Sequence, residues 1–351
     1  MSLRRVSSRG AAVAVLAGLL LAGSPLALAA QEVQGRDAEA LWKARLKRPP
    51  PSPPYPPDNP LTPDRIALGA RLFADPRLSG DGRRSCASCH RPERNFTDGR
   101  PRARALSGTP LRRNTPALWN LAWGKHFFWD GRAPSLEAQV QMPIEEAEEM
   151  GGSWPEILRR LGEDAELAGQ FRIAFPEERT VTQATVLKAL ASYVRSLVSP
   201  PTRFDAWIEG DAQALEPAEM AGFHLFIGKA GCVLCHVGWR FTDDRFHDIG
   251  VAGNDGGRGS VPGGTPGLMA FKTPSLREVA KTAPYMHDGS LPTLDAVIAH
   301  YTGSFVRRPS LATHINRDLR LTSKEKSDLV AFLRTLSSEK GPASARRAGP
   351  R

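Results

Sequence analysis

Two copies of Cys-x-x-Cys-His constrain this chain more than any other feature: Cys86, Cys89 and His90, then Cys232, Cys235 and His236. Together they use all four cysteines. On a helical turn, residues i, i+3 and i+4 share a face. Two thiols so placed can bond the two vinyl groups of one haem while the adjacent imidazole reaches the iron. That is why the spacing is the attachment signature of c-type haem. Two CxxC pairs could instead hold zinc, but such a site does not need the trailing His. A thioredoxin-like redox pair belongs near a βαβ pattern, and none is visible. The motifs therefore predict two covalent haems, with His90 and His236 as iron ligands.

The 351 residues allow two domains, one for each motif. Hydrophobic residues make up 41% and charged residues 24%, ordinary values for a globular protein. The start reads as an export signal. Arg4, Arg5 and Arg9 form a basic head, residues 11–21 an apolar core, and Ala27-Leu28-Ala29 a cleavage site near residue 30. An uncleaved anchor over 11–30 is the alternative, weakened by Gly18, Gly23, Ser24 and Pro25. Export to the periplasm fits covalent haem, which is built outside the cytoplasm. The formal net charge of +10 lies mostly at the ends. The three signal arginines, and a tail over 338–351 with four cations and one acid, account for six of those charges. No nucleic-acid footprint follows.

The expected organisation is a signal at 1–30, a Pro-rich linker at 31–60, a first haem domain at 61–200, a second at 201–337 and a disordered basic tail at 338–351. The run of prolines in 49–60 lacks backbone donors for a helix or sheet. Thr62 and Pro63 open a helix leading to the first haem. Residues 91–113 read as a loop over the haem edge. Ser135 caps a helix that Pro143 ends, and 154–198 read as helices. SPPTRFD at 199–205 marks the domain change. A helix over 217–228 leads to the second motif, 238–272 is a Gly-rich loop, and Leu291-Pro292-Thr293 opens a further helix. The last helix covers about 322–336 with Ser323 as cap. The predicted class is mostly α, two small c-type cytochrome domains with long loops and little β.

FFWDGRAPSLEAQ, FKTPSLREVAKTAPYMHDGS and the two CxxCH sites together resemble bacterial dihaem cytochrome c peroxidases and the related MauG enzymes, over about residues 61–336. The resemblance implies that peroxide meets the N-terminal haem, held by His90, and that the C-terminal haem relays electrons. The far side of the N-terminal haem is then lined by Gln139 and Glu149, with Pro143 shaping the pocket. Trp129 becomes the electron relay between the haems. Asn114, with the carbonyls of Thr282 and Pro284, matches an interdomain calcium site. A positioned carboxylate can move a proton from one peroxide oxygen to the other, and an amide can hold the oxygens without competing for it. Without the motif, Glu149 among Glu145, Glu146 and Glu148 reads as a solvated acidic face, and Trp129 as a core aromatic. No carboxylate stands among the calcium candidates, so waters would complete that shell.

The chain departs from the peroxidase pattern twice. Residues 91–125 contain no histidine to cap the resting peroxidatic iron, so that iron is expected to be open without reductive activation. The C-terminal haem would take Tyr301 as its second ligand, where peroxidases have Met and MauG-type members have Tyr; Met286 is the competitor. A phenolate lowers the iron potential, whereas Met raises it. His126, His224, His247, His287 and His300 have no ligand spacing, and His287 reads as a hydrogen-bonding residue. The first functional reading is a periplasmic peroxidase reducing hydrogen peroxide with electrons from a small cytochrome or cupredoxin. The second is a MauG-type oxidase of aromatic residues on a partner protein. The third is a plain dihaem electron carrier, against which Gln139 and Glu149 argue. Members of this family are often dimers, so a homodimer is also an expectation.

Overall fold

Helices that pack through a single glycine frame each haem motif in this computed structural model, which describes residues 39–49, 52–178 and 180–339. The predicted signal and most of the basic tail lie outside the described residues. The chain divides into two compact units, 1–45 and 46–351. A helical stretch covers 39–46, and everything below concerns the second unit.

The helix Pro63–Phe73 begins as expected: Thr62 accepts a hydrogen bond from the Arg65 N–H, and Pro63 needs no donor at this position. It lies on the helix Gln183–Arg195. At Gly69 the backbones come so close that a Cβ would stand 2.0 Å from the Ala189 carbonyl oxygen. In the second half, the helix Pro217–Ile227 lies on Ser323–Thr335 in the same way. There, a Cβ on Gly222 would stand 1.9 Å from the Asp328 carbonyl oxygen. Each pair buries its own aromatic cluster. Phe73, Phe96, Trp119 and Tyr193 meet in the first. Phe204, Phe223, Phe226, Phe241 and Phe332 meet in the second. Aromatic pairs at these separations add about 0.5–1.5 kcal/mol each beyond their buried area.

The region 154–198 resolves into three helices, Trp154–Gly162, Ala165–Ala174 and Gln183–Arg195. Among the described residues the strands are two residues long, Phe246–His247 paired antiparallel with Phe271–Lys272. The class is mostly helical, as predicted. Two boundaries differ. The helix capped by Ser135 runs Leu136–Glu145, with Pro143 inside rather than at its end. Proline removes one donor and crowds the preceding turn, but the helix has only two residues left, Ile144 and Glu145. The last helix is capped by Thr322, whose side chain accepts from Glu325 N–H in a capping box, and Ser323 is its first turn.

The halves meet through polar contacts. Arg113 bonds Asp130 at 2.6 Å and Asp255 at 2.7 Å. Arg258 donates to the Gly131 carbonyl at 3.0 Å. Trp123 and Trp239 stand edge to face across the junction, 4.9 Å apart.

Candidate active site

Both CxxCH motifs open onto one cavity of about 1050 Å³. Cys86–Cys89 form a single helical turn, closed by a bond from His90 N–H to the Cys86 carbonyl at 2.9 Å. Cys232–Leu234 form a 3-10 turn, closed by His236 N–H on the Cys232 carbonyl at 3.0 Å. His90 Nδ1 then meets the Phe96 carbonyl at 2.9 Å, and His236 Nδ1 meets the Phe241 carbonyl at 2.8 Å. A carbonyl only accepts, so Nδ1 carries the proton and Nε2 keeps its lone pair for a metal. Phe96 and Phe241 both have left-handed backbone, φ 60° and 57°, which turns those carbonyls inward. Burial lowers the pKa of both imidazoles and keeps them neutral.

This arrangement fits covalent haem. Burial pushes the Cys86 and Cys232 thiols up to about 12 and favours their protonated form. The four cysteines form no disulfide. The residues that would hold the two haems are Cys86, Cys89 and His90, and Cys232, Cys235 and His236.

A repeat that pattern-reading missed organises the rest. Residues 114–143 and 272–301 match at a constant interval: Asn114-Thr-Pro-Ala-Leu against Lys272-Thr-Pro-Ser-Leu, and Trp129-Asp-Gly against His287-Asp-Gly. Both copies carry an antiparallel bridge, Phe127 to Ala133 and Tyr285 to Leu291. Both open a helix on a hydroxyl cap, Ser135 and Thr293. The copies clasp each other reciprocally. Asn114 N–H donates to the His287 carbonyl at 2.8 Å, and Lys272 N–H donates to the Trp129 carbonyl at 2.7 Å. At the matched position of the repeat, Pro143 in the first copy corresponds to Tyr301 in the second. A shared Phe-Thr-Asp after each motif, at 96–98 and 241–243, was a further legible signal.

Gln139, Pro143, Glu149 and Arg132 line the cavity together with Cys86, Cys89 and His90. Burial raises the Glu149 carboxyl above the usual range; Arg132 opposes this and Glu146 adds to it. Glu149 is near enough to Cys89 to raise that thiol. Trp129 also lines the cavity, its Nε1–H fixed on the Asn114 carbonyl at 2.9 Å. Tyr301 lies in a short π-helical segment, His300–Ser304, and lines the cavity. Burial raises its hydroxyl pKa, and the Cys232 and Cys235 thiols add to that, so the phenol faces the second motif. A bound cation there would reverse that preference. Met286, with φ 73°, lines the same cavity.

Asn114, Thr282 and Pro284 all line it too. The Asn114 amide nitrogen donates to the Arg100 carbonyl at 2.9 Å and the Pro101 carbonyl at 3.3 Å. This leaves its oxygen as the atom free for a cation, which fits a hard-ion ligand. His287 stacks on Phe271 at 3.6 Å, and its carbonyl accepts from the Asn114 N–H. His247 pairs with Asp243 at 2.8 Å, beside Cys235, a contact the spacing did not reveal.

A mostly helical chain with two histidine-backed cysteine pairs facing one cavity has the form of a dihaem c-type oxidoreductase. A family described as di-haem cytochrome c peroxidase matches residues 63–213. The methylamine utilization protein MauG of Methylorubrum extorquens is 48% identical over 90% of this chain and 90% of its own. The cytochrome c peroxidase Ccp of Escherichia coli is 32% identical over 82% of this chain and 61% of its own. A MauG-like protein associated with microbial copper homeostasis superposes with a TM-score of 0.77 at 35% identity, covering 86% of this chain and 98% of that one. The chain belongs to the di-haem cytochrome c peroxidase family, which includes the MauG proteins.

Proposed function

We propose that this chain is an exported dihaem enzyme in which hydrogen peroxide reacts beside His90, while the His236 site stores and passes charge. The observation that carries the reading is the matched pair Pro143 and Tyr301. Proline has no side-chain donor for a metal, so a haem held by His90 would receive no ligand from that position. Tyrosine has one, so Tyr301 would be a second ligand to a haem held by His236. A haem bound at His90 supplies the iron at which the peroxide O–O bond is cleaved. Around it, Glu149 takes a proton from one peroxide oxygen and returns it to the other. Its raised pKa brings the carboxyl nearer to neutral pH, where it can do both. Gln139 holds the oxygens by hydrogen bonds without entering the proton exchange. Trp129, locked by Asn114 and Lys272, carries electrons between the sites.

Of the two modes, oxidation of aromatic residues on a partner protein is better supported. Tyr301 in place of Met favours a low potential at the second site, and that suits storing oxidising equivalents rather than accepting electrons from an ordinary cytochrome. The similarity to MauG proteins points the same way. Peroxidase turnover fed by a small cytochrome or cupredoxin is the other mode. Asn114, with the Thr282 and Pro284 carbonyls, is proposed as a calcium site joining two haem domains, 61–200 and 201–337. Periplasmic location and dimerisation belong to the same reading.

The test is a ferric spectrum and electron paramagnetic resonance, before and after peroxide. One high-spin and one low-spin iron, with a long-lived change on peroxide addition, is expected. Low-spin iron alone refutes the open site. Fast steady-state turnover with a reduced small cytochrome moves the assignment to the peroxidase mode.

A further inference from the structure

Lys272 is a partly buried cation with an unmet demand. Its backbone N–H is committed to the Trp129 carbonyl at 2.7 Å. Its side chain is 15% exposed and lines the cavity. Among the described residues its ammonium makes no hydrogen bond; the acidic oxygen it meets, Asp244 Oδ1, is 4.0 Å away. Asp244 is already paired with Arg240, which also lines the cavity. The neighbouring Asp243 is taken by His247. Two cations thus share one carboxylate, and one positive charge is left over in a place where burial is costly. That burial lowers the Lys272 pKa, with Asp244 opposing it.

The repeat sharpens the point. Lys272 occupies the position of Asn114, whose amide nitrogen is satisfied by two carbonyls. Other cations near the junction differ in how far they are satisfied. Arg113 is held by Asp130 and Asp255. The Arg277 side chain has no exposed surface; its Nη1 sits on Asp205, while its Nη2 has no hydrogen-bond partner among the described residues. A c-type haem carries two propionate carboxylates on its rim, and an ammonium facing its cavity is a charge-assisted donor for one of them.

We propose that Lys272, with Arg240 beside it, binds a propionate carboxylate of the Cys232–His236 haem next to Trp129. The inference rests on the covalent haem reading of that motif and is independent of peroxide turnover. It makes Lys272 a device for placing positive charge between the two sites.

The experiment uses the full haem-loaded protein with Lys272→Met and Lys272→Arg. Mass spectrometry counts covalent haems, spectroelectrochemistry gives each midpoint potential, and resonance Raman reads the propionate bending band. Lys272→Met is expected to keep two haems, to lower the midpoint potential of the His236 site alone and to shift the propionate band. Lys272→Arg restores the potential while leaving the band shifted, because a fork replaces an ammonium. A two-haem Lys272→Met with unchanged potentials and an unchanged band overturns the proposal. So does a wild-type potential that moves with added inorganic phosphate, since an exchangeable anion then occupies the site. If Lys272→Met loads fewer than two haems, Lys272→Arg decides: an unmoved band overturns the assignment. A wild-type protein carrying fewer than two covalent haems removes the haem reading itself, and the proposal with it.

Discussion

The His90 and His236 sites share one proximal design and diverge on the far side. In both, a one-turn cysteine helix delivers an imidazole whose Nδ1 is pinned by the carbonyl of a left-handed Phe. In both, a DG turn and a hydroxyl-capped helix follow in the repeat. In that repeat, one position holds Pro143 in the first copy and Tyr301 in the second. The scaffold can thus be duplicated without duplicating the chemistry, because a metal site is defined by the few atoms that can reach the metal. The first copy adds Gln139 and Glu149 where the second has Val297 and a loop. On the function proposed above, reactivity and charge storage are divided between two nearly equivalent frames.

Exchanging the distinguishing groups tests this division. Glu149→Gln removes the proton carrier and leaves the frame. The rate of reaction with peroxide should fall about 10²–10⁴-fold in stopped-flow measurements. Because burial raises the Glu149 carboxyl, the wild-type rate should decline with acid at a higher pH than an exposed glutamate would give. Glu149→Gln should lack that acid limb. A wild-type profile that is flat there would count against Glu149.

Tyr301→Met makes the second site resemble an electron-accepting peroxidase. Its midpoint potential should rise and its visible spectrum change, while peroxide still binds at the first site. An unchanged spectrum and potential would leave Met286 as the ligand.

The junction between the copies can be loosened at Asp255. Burial pushes its carboxyl up, but Arg113 and the Gly257 N–H outweigh that and hold it well below the usual range. A depressed carboxyl stabilises the fold above the ordinary carboxylate pKa, and this is lost as pH falls toward its own lower value. Asp255→Asn should cost about 2 kcal/mol at neutral pH, and the difference from wild type should shrink on acidification. Denaturant melts at several pH values measure both.

Gly69→Ala and Gly222→Ala probe the helix contacts. Each new methyl meets a backbone carbonyl rather than a flexible side chain. Each should cost about 1–3 kcal/mol, and similar losses would show that the two halves are built alike. A loss at one position alone would break the equivalence.

The chain itself carries the signature of covalent haem attachment, since an imidazole directly follows each cysteine pair. It also fixed the helical class and most caps, because Thr62, Ser135 and Thr293 act on backbone donors three residues away. Ser323 was mistaken for a cap because Thr322 beside it offers the same hydroxyl. Pro143 was read as a stop because a local rule does not say how near the helix end already lies. Glu149 could not be separated from its acidic neighbours by sequence pattern, since burial depends on what folds over it. Tertiary structure alone decided that both motifs face one cavity, that Trp129 and Lys272 are bonded to each other's segments, and that Tyr301 looks at Cys232 and Cys235. Those relations join residues far apart in the chain. They are set by packing and by the pairing of buried polar groups, and local spacing carries no record of either.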